Sequence, residues 1–513
     1  MDIFYQDWFN HPNWWFKPTS TDDEYLTNTY EELCDMKSFK SESLEEQICY
    51  IIIHDQLIRH IVRHRGLSKD VIEEHLQFAV QMSESIHLNN EIIKKNLTWS
   101  QLCFTVLPFR HSFNRPMIMK IIAFIWNALN NPLDDSDRIL LIKTLRATYS
   151  RCPMIKPVKA NITHCYQIKT HAHICQFMPL FCNITSKLSL ENRIVQSFIK
   201  LKEPIIVSLS GGVDSMVCAF ILKCLGKKIV AVHINYDNRL ESNQEQVFVE
   251  EWCHLIDIPC WTRHITEIHR PACMTLGLRE TYETYTKRVR MDSYCQVWEL
   301  LGETSSPYVI MGHHLDDGME NVLTNIMNCT KYDDLFGMTP CRLQDGIYIL
   351  RPMMPISKEE ILQFAQTNNI PYLKDSTVEW SARGKLRDVV FPAFSQWTDW
   401  NTLSRGFQSL EKTCRESLDI IKLMTRDWIE QFDNNIRLIP LKNIPKTALF
   451  YRHALSIWNI YPTNRAINSL LERIEKIEQK WDTFIFQKCF LTKQLSIEWK
   501  KKNNALEWKW IIH

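Results

Sequence analysis

The segment Ser208-Leu209-Ser210-Gly211-Gly212-Val213-Asp214-Ser215 directly follows the apolar residues IIV (205–207) and is the most informative part of the sequence for the fold. Two adjacent glycines let the backbone turn tightly without a Cβ clash, so that successive N–H groups can point at one anion. The helix expected at MVCAFILKCL adds the partial positive charge of its N-terminus. The hydroxyls of the stretch and the Asp214 carboxylate suit phosphates and a phosphate-bound magnesium ion. A Gly-Gly pair alone would favour an ordinary strand–helix turn with Ser and Asp capping. The whole S-G-G-x-D-S string after a buried strand is more specific, and it predicts a phosphate-binding turn.

Strand-like and helix-like patterns alternate around this turn. Ten of the 12 glycines lie between Gly211 and Gly384, where strand–helix turns would use them. The predicted strands are EPIIVSLS (203–210), KKIVAVHINY (227–236), PYVIMGHH (307–314) and IYILRPM (347–353), and the predicted helices lie near 242–256, near 280–301, from about 317 and after 356. This alternation predicts the α/β fold class, with a parallel sheet covered by helices on both faces.

Glycine-poor flanks with helical periodicity enclose the α/β region. We predict an all-helical domain of unknown role over 1–150, a linker over 151–198, the α/β domain over 199–395, and a mainly helical domain over 396–513. Residues 401–513 hold 19 Lys and Arg against 12 Asp and Glu, although the whole chain has a net charge of only +1. A basic terminal module favours a polyanionic partner, and a solvated helical surface explains the charge equally well.

The composition excludes several classes of protein. The 513 residues are 45% hydrophobic and 23% charged, which is globular usage and not that of a disordered chain. No apolar run approaches the roughly 18 residues of a membrane helix, and the N-terminus resembles neither a secretory signal nor a transit peptide. We therefore expect a cytoplasmic protein with no membrane partner. The 17 cysteines include no C-x-x-C pair, which argues against a compact zinc knuckle, a redox dithiol or an iron–sulfur site.

A second motif follows the third predicted strand. It reads His313-His314-Leu315-Asp316-Asp317-Gly318-Met319-Glu320-Asn321. Asp317 and Glu320 are three residues apart, so they share one face at the start of a helix. Two carboxylates beside a triphosphate would suit magnesium. Helix capping by Asp316 and Asp317 is the simpler explanation of the motif taken alone.

Together these residues resemble a class of nucleotide-dependent enzymes. The chain contains neither G-x-x-x-x-G-K-[ST] nor G-x-G-x-x-G. Its glycine stretch resembles the PP-loop of the N-type ATP pyrophosphatases, which cleave ATP between the α- and β-phosphates, adenylate a substrate oxygen and release pyrophosphate. The resemblance implies ATP and Mg²⁺ as cofactors, with ATP contacts from Ser210, Gly211, Gly212, Val213, Asp214 and Ser215.

Further matches narrow the resemblance to tRNA(Ile)-lysidine synthase. The family's H-H-x-D-D-Q-x-E-T is matched with Gly318 and Asn321 in place of Gln and Thr. Its H-x-N-H-x-L-R is matched loosely by the segment from His233 to Arg239, and its ATP-contacting helix arginine is matched by Lys287 and Arg290. The remaining matches are Arg351-Pro352-Met353-Met354 and, in part, Asp375, Ser376, Arg383, Arg387 and Pro392, with Thr377 and Gly384 where Asn is usual.

This resemblance covers about 200–395 and implies two-step ligase chemistry. ATP adenylates the C2 oxygen of the wobble cytidine, position 34, of an isoleucine tRNA with a CAU anticodon, and the ε-amine of free lysine then displaces AMP. The roles implied are catalysis by Asp214, His313, Asp317 and Glu320, magnesium binding by Asp214 and Asp317, ATP binding by Arg290, and substrate binding by Asn235, Arg239, Arg351, Asp375, Arg383 and Arg387. Glu320 is a candidate partner of the lysine amine or of magnesium. A homodimer is a further expectation.

The sequence leaves two alternative functions open. A tRNA-thiolating enzyme shares the PP-loop and an H-H-x-D-D-like motif, but such enzymes use paired cysteines, and KDSTVEWSARGKLR (374–387) has none. A tRNA-binding relative without catalysis would account for Gly318 and Gly384, whereas the intact SGGVDS stretch argues for activity.

The N-terminal module resembles an uncharacterised, largely bacterial helical family with a tetratricopeptide-like appearance. The matching residues are Trp14-Trp15-Phe16, Asp55-Gln56 with Arg59, and Leu107-Pro108-Phe109-Arg110-His111-Ser112. No activity follows from this resemblance, and buried polar networks explain these residues as well as a site does. Two further groups have spacings that do not favour metal binding: His60 with His64, and His171, His173 and Cys175 with Cys182.

Overall fold

The computed structural model describes residues 1–16, 18–41, 43–88, 97–161, 188–239, 241–328, 335–373, 382–458, 460–492, 495–503 and 505–512. The chain divides into two compact units, and each is described by itself. The first unit comprises Met1–Ser186, Lys202–Ile310 and Leu343–Tyr348, and the second comprises Lys187–Leu201, Met311–Arg342 and Ile349–His513. None of the helices in the described ranges is long and apolar enough to cross a membrane.

The first unit begins with a helical module, as the periodicity predicts. Its α-helices are α1 (Asp2–Asn10), α2 (Asn13–Phe16), α3 (Ser20–Tyr30), α4 (Leu44–Ile52), α5 (Ile58–Arg65), α6 (Asp70–Leu88), α7 (Trp99–His111), α8 (Arg115–Leu129) and α9 (Asp135–Arg151). Phe4, Trp8, Leu26 and Ile52 are almost fully buried in its core. A π turn, Ile53–Leu57, joins α4 to α5 and carries two buried polar side chains.

A seven-stranded sheet confirms the predicted α/β class. Its strands are β1 (Val158–Lys159), β2 (Ile205–Ser208), β3 (Ile229–Asn235), β4 (Cys260–His264), β5 (Tyr308–Ile310), β6 (Cys341–Gln344) and β7 (Ile347–Leu350). The strand order is β1-β4-β3-β2-β5-β7-β6. The neighbours β4, β3, β2 and β5 run parallel, whereas β1 is antiparallel to β4. The sequence did not predict β1, which lies in the expected linker, or β4, whose CWTRH is too polar for a buried-strand pattern.

Five helices of the α/β region fall close to their predicted positions: α11 (Val213–Cys224), α12 (Ser242–Leu255), α14 (Arg279–Leu300), α15 (Leu315–Met327) and α16 (Lys358–Thr367). The shorter helices α10 (Arg193–Ile199), α13 (Arg270–Thr275), α17 (Ala382–Lys385) and α18 (Phe391–Ser395) were not predicted. The strand β2 has β3 on one side and β5 on the other, so the direction of winding reverses at β2. Ligands of open α/β sheets bind at the carboxyl ends of strands at such a reversal, and the predicted phosphate-binding turn leaves the sheet there.

The helical module and the α/β part of the first unit share a buried polar interface. Tyr149 Oη donates to the Glu267 carbonyl oxygen at 2.9 Å, and Tyr285 Oη donates to the Glu267 carboxylate at 2.9 Å. Arg288 donates to the carbonyl oxygens of two residues at the end of α9 and just beyond it. Burial alone would raise the pKa of Glu267, but Arg263 and Tyr285 outweigh it and hold this pKa below its usual value. The charged interface therefore joins α9 to α14.

The second unit ends in helices and a second sheet. The elements are α19 (Trp400–Glu430), β8 (Ile436–Pro440), α20 (Ala448–Ser456), α21 (Asn464–Gln479), β9 (Phe486–Phe490), β10 (Leu495–Lys502) and β11 (Ala505–Ile512). The four strands form an antiparallel sheet in the order β8-β11-β10-β9. Trp499 and Trp508 are fully buried in its core with Trp428 and Tyr451. The helices confirm the predicted helical character, whereas the sheet was not predicted, because its strands mix apolar residues with lysines.

Candidate active site

The phosphate loop, residues 208–215, turns sharply between β2 and α11. Gly211 has φ +89°, a conformation that suits glycine because a side chain would be strained there. Gly212 caps the N-terminus of α11 and Val213 begins it. Ser215 Oγ donates to the Gly212 carbonyl oxygen at 3.0 Å, accepts from Ser210 N at 3.1 Å and lies 3.1 Å from Ser210 Oγ. These bonds hold the loop around a helix N-terminus, where backbone N–H groups and the helix dipole favour an anion.

Asp214 occupies the first turn of α11 and is partly exposed. A carboxylate is the oxygen ligand that Mg²⁺ prefers, and Mg²⁺ in nucleotide sites is held by one or two carboxylates and by the substrate phosphates. The position and chemistry of Asp214 therefore fit a magnesium ion that is carried by the phosphates of ATP.

Two buried side chains to which the sequence analysis assigned no role anchor the loop. His233 Nδ1 donates to the Leu209 carbonyl oxygen at 2.8 Å, and burial lowers the pKa of His233. Tyr294 Oη donates to Ser208 Oγ at 2.7 Å. The predicted ATP ligand Arg290 lies four residues before Tyr294, so the two share the face of α14 that contacts the end of β2. The spacing from Arg290 was the sequence signal for Tyr294.

Asn235 and Arg239, predicted to bind substrate, are engaged with the turn after β3. Asn235 is 2% exposed, and its amide donates to Asn243 and Gln246 at 2.9 Å each. Arg239 pairs with Glu245 at 2.7 Å. These contacts organise residues 235–246, and the substrate contacts of Asn235 and Arg239 stay predictions.

In the second unit, three predicted site residues meet. Arg387 Nε donates to Glu320 Oε1 at 2.5 Å, and Arg387 Nη2 donates to Asp317 Oδ1 at 3.3 Å. Glu320 is 1% exposed and Asp317 is 6% exposed. Buried carboxylates are costly unless they are paired and hydrogen-bonded. Arg387, on the π turn Leu386–Val390, supplies that pairing to both.

Asp317 has a second contact, at the start of α15. Its Oδ2 accepts from the backbone N–H of His314 at 3.1 Å, as part of a reciprocal cap between the two residues. Both carboxylate oxygens of Asp317 therefore accept protein donors. This arrangement supports the capping explanation of Asp317, and its role as a magnesium ligand stays a prediction.

Arg351 fixes the ring of His313. Its Nε donates to His313 Nδ1 at 2.9 Å, and its Nη1 donates to the Thr339 carbonyl oxygen at 3.0 Å. A guanidinium only donates, so Nδ1 is an acceptor and the proton of neutral His313 is on Nε2. In the neutral ring, Nε2 is therefore the donor nitrogen of His313.

Gly318, which departs from the family pattern, is a packing position. A Cβ built there would lie 3.4 Å from Met354 Cε and 3.6 Å from Phe336 Cδ1, which is ordinary van der Waals contact. A glutamine would have to displace these two side chains. In this chain they occupy the space that the family's Gln would need.

A cavity of about 570 Å³ in the second unit adjoins the acidic cluster, the group formed by Asp317, Glu320 and Arg387. Its walls include charged groups of both signs, and aromatic rings: Asp316, Glu320, Lys358, Arg387, Phe391 and Trp400. The volume is in the range of small-molecule sites. Sequence reasoning missed Lys358 and Trp400, since nothing in their local sequence marks them and only the fold brings their helices to α15.

Some predictions cannot be placed. Asp375, Ser376, Thr377, His171, His173, Cys175 and Cys182 lie outside the described residues, as does the side chain of Arg383. His60 pairs with Asp23 at 2.6 Å instead of with His64. Over the described ranges, no group of three or more His, Cys, Asp or Glu side chains could hold a metal ion.

Comparison with known proteins fits this geometry. A family model described as a PP-loop domain matches residues 185–394, which contain the phosphate loop and the strands β2 to β7. The match begins inside the segment that was predicted as a linker.

Curated proteins whose sequences are similar to this chain include several tRNA(Ile)-lysidine synthases. The chain is 25% identical over 315 residues to the one from Francisella philomiragia, which covers 59% of this chain and 74% of that one. It is 27% identical over 292 residues to the one from Porphyromonas gingivalis, which covers 54% of this chain and 61% of that one. A solved structure of the U34-tRNA thiolase NcsA from Methanococcus maripaludis aligns at a TM-score of 0.33 and 19% identity, over 43% of this chain and 77% of that one.

Proposed function

We propose that this protein is an ATP-dependent tRNA-modifying ligase that joins free lysine to C2 of the wobble cytidine, position 34, of a tRNA(Ile) with a CAU anticodon. The observation that carries the proposal is the similarity to tRNA(Ile)-lysidine synthases, which extends over 315 residues and so continues beyond the PP-loop domain. Arg351 and Arg387 lie in the matching region after the loop, and both hold residues of the second motif.

The first step is adenylation. The C2 oxygen of cytidine attacks the α-phosphorus of ATP, and pyrophosphate leaves. The phosphate loop binds the triphosphate through the N-terminus of α11 and the hydroxyls of Ser210 and Ser215. Asp214 would hold a phosphate-bound magnesium ion, which would offset the negative charge of the phosphates.

The second step is attack by lysine. The ε-amine forms a bond to C2, its proton passes to a carboxylate, and AMP leaves with the former C2 oxygen. The cavity beside α15 suits a free amino acid, because its walls carry both acidic and basic groups for the two ends of lysine and rings for its methylenes. Asp316 or Glu320 is the acceptor of the amine's proton, and Arg387 keeps Glu320 ionised.

The basic C-terminal segment binds the tRNA phosphates in this proposal. The net surplus of Lys and Arg after residue 401 supports that role, since phosphate contacts supply much of the affinity for RNA. A homodimer and a cytoplasmic location remain parts of the proposal.

The test is mass spectrometry of the anticodon nucleoside after incubation with ATP, magnesium, labelled lysine and a CAU-anticodon tRNA. We expect a lysine adduct on cytidine together with release of AMP and pyrophosphate. Asp316→Asn should reduce the adduct, whereas Asp419→Asn, on the exposed face of α19, should not. A sulfur-for-oxygen mass shift would establish a thiolase instead, and unmodified cytidine on bound tRNA would establish a non-catalytic binder.

A further inference from the structure

The helical module contains a polar cluster that the proposed ligase chemistry does not use. It consists of Asp55 on the π turn, Arg59 on α5, and Arg110 and His111 at the end of α7, and we call it the Asp55 cluster. The Asp55 side chain is 1% exposed and accepts from His111 Nδ1 at 2.6 Å and from Arg59 Nη2 at 3.1 Å. Asp55 and His111 are 56 positions apart in the chain, so only the fold brings them together.

The hydrogen bonds assign the protons of the cluster. A carboxylate only accepts, so His111 carries its proton on Nδ1, and its Nε2 faces Arg110 Nη2 at 3.4 Å. Burial lowers the pKa of His111 more than Asp55 raises it, so the ring is neutral near pH 7. Burial alone would raise the pKa of Asp55, but His111 and Arg59 outweigh it and lower that pKa to about 2. The cluster therefore holds one negative charge and two guanidinium groups.

Positive charge is in excess around Arg110. Its buried Nε has no hydrogen-bond partner among the residues that the structure describes. Burial and the neighbouring Arg151 lower the pKa of Arg110 to about 10, the direction expected when a buried cation lacks enough negative charge nearby.

A second set of the same residue types, in the same module, provides the contrast. Asp23 accepts from His60 Nδ1 at 2.6 Å, from Arg63 Nε at 2.9 Å and from Arg63 Nη2 at 2.8 Å. The Asp23 carboxylate and the Arg63 guanidinium form a bidentate salt bridge, so one negative charge balances one positive charge. The Asp55 cluster has the same Asp–His pair and one more guanidinium.

We propose that the Asp55 cluster is a second ligand site of this protein, which binds the phosphate group of a small molecule. A phosphate brings two negative charges and several acceptor oxygens, which match the surplus guanidinium charge of the cluster. The Arg59 side chain is 27% exposed, so a ligand can reach the cluster from that side. The π turn that carries Asp55 is a backbone irregularity often found at functional sites. This site is independent of the proposed ligase activity.

The test measures the rise in the melting temperature of the full-length protein with increasing inorganic phosphate. The variants are Arg110→Gln and Arg59→Gln, with Arg63→Gln as the matched control from the charge-balanced set. The phosphate loop is identical in all of them, so phosphate binding at the loop cancels in the comparison. We expect the apparent phosphate affinity of this site to fall by about tenfold in the first two variants, the scale of one lost charge-assisted contact, and to be unchanged in the control.

The comparison also separates binding from a purely structural role. A structural ion cluster would lower the melting temperature of Arg110→Gln without phosphate and leave its phosphate response intact, which would overturn the proposal. An equal loss in Arg63→Gln, or no response in the unaltered protein, would overturn it as well. If acetate at matched ionic strength raised the melting temperature as much as phosphate does, the site would bind carboxylates as well, and the proposed phosphate ligand would be refuted. If Arg110→Gln does not fold, Arg59→Gln and His111→Asn carry the same test.

Discussion

Arg387 Nε lies 2.5 Å from Glu320 Oε1, although the two residues are 67 positions apart in the chain. Glu320 is 1% exposed, so the pair places a carboxylate in a nearly dry environment with its charge compensated. The same guanidinium reaches Asp317, one helical turn before Glu320. Three residues that the sequence assigned to catalysis, metal binding and substrate binding thus form one electrostatic group, and a change in one is expected to alter the others.

Arg387→Ala should lower the free energy of unfolding by about 3 kcal/mol, because it leaves a buried carboxylate without its partner. Lysine transfer to tRNA should fall with it. Guanidine unfolding and the lysine-adduct assay measure the two effects. Arg415→Ala breaks an exposed pair with Glu411 in the same unit and should cost no more than about 1 kcal/mol. Additivity of Arg387→Ala and Glu320→Gln in a double-mutant cycle would contradict the coupling.

Asp214→Ala should reduce tRNA-dependent release of AMP and pyrophosphate by about two orders of magnitude, the scale of losing one electrostatic group at a reacting phosphate. The circular dichroism spectrum should not change, because a partly exposed loop carboxylate contributes little packing. Glu283→Ala, on an exposed face of α14, is the control and should retain activity. Release of ADP by the unaltered protein would refute the PP-loop chemistry.

Gly318→Ala should raise the free energy of unfolding by about 0.5–1 kcal/mol, since a helical glycine is replaced and the added Cβ makes only ordinary contacts. Gly318→Gln should lower it, because the longer side chain meets Met354 and Phe336. Thermal unfolding of both variants measures the difference. A Gly318→Gln variant as stable as the unaltered chain would show that Met354 and Phe336 do not fill that space.

Lys500→Glu should weaken tRNA binding and reduce the slope of log affinity against log salt by about one for each lost phosphate contact. Lys500 and Lys502 are the exposed residues of three consecutive lysines in β10, but Lys502 pairs with Glu507, and the half-buried Lys501 Nζ donates to the Trp481 carbonyl oxygen at 2.6 Å. Reversal of Lys501 would therefore confuse packing with RNA binding. Lys69→Glu, in the helical module, is the charge-matched control, and equal slopes for the two variants would exclude a phosphate contact at Lys500.

The helical module should lose stability on mild acidification. Burial and the neighbouring His75 lower the pKa of His54 to about 4, below its usual 6.5. Between these values the unfolded chain binds a proton that the folded chain does not, so the free energy of unfolding falls as the pH drops from about 6.5 to about 4. Urea unfolding across this range should show a smaller dependence on pH for His54→Gln than for the exposed His64→Gln. Equal dependence would assign the effect to other groups.

The local features of this protein follow from its amino-acid sequence alone. The predicted strands and helices of the α/β region could be predicted because the spacing of apolar residues is a local pattern. The glycine turn at 208–215 is local as well, since it depends on the conformational freedom of two adjacent glycines. The motifs also identified the members of the acidic cluster. They did not predict β4, which is polar for a buried strand, or the C-terminal sheet, whose pairing joins residues far apart in the chain.

Which side chains meet depends on the folded chain. The sequence left Asp317 as a magnesium ligand or a helix cap, and in the structure one of its oxygens accepts from Arg387 and the other from the backbone N–H of His314. The surplus positive charge around Asp55 likewise requires the end of α7 to pack against the π turn. Hydrogen bonds and ion pairs act over a few ångströms, and burial sets what an unpaired charge costs. Both depend on distances between segments that are remote in sequence, which a motif does not contain.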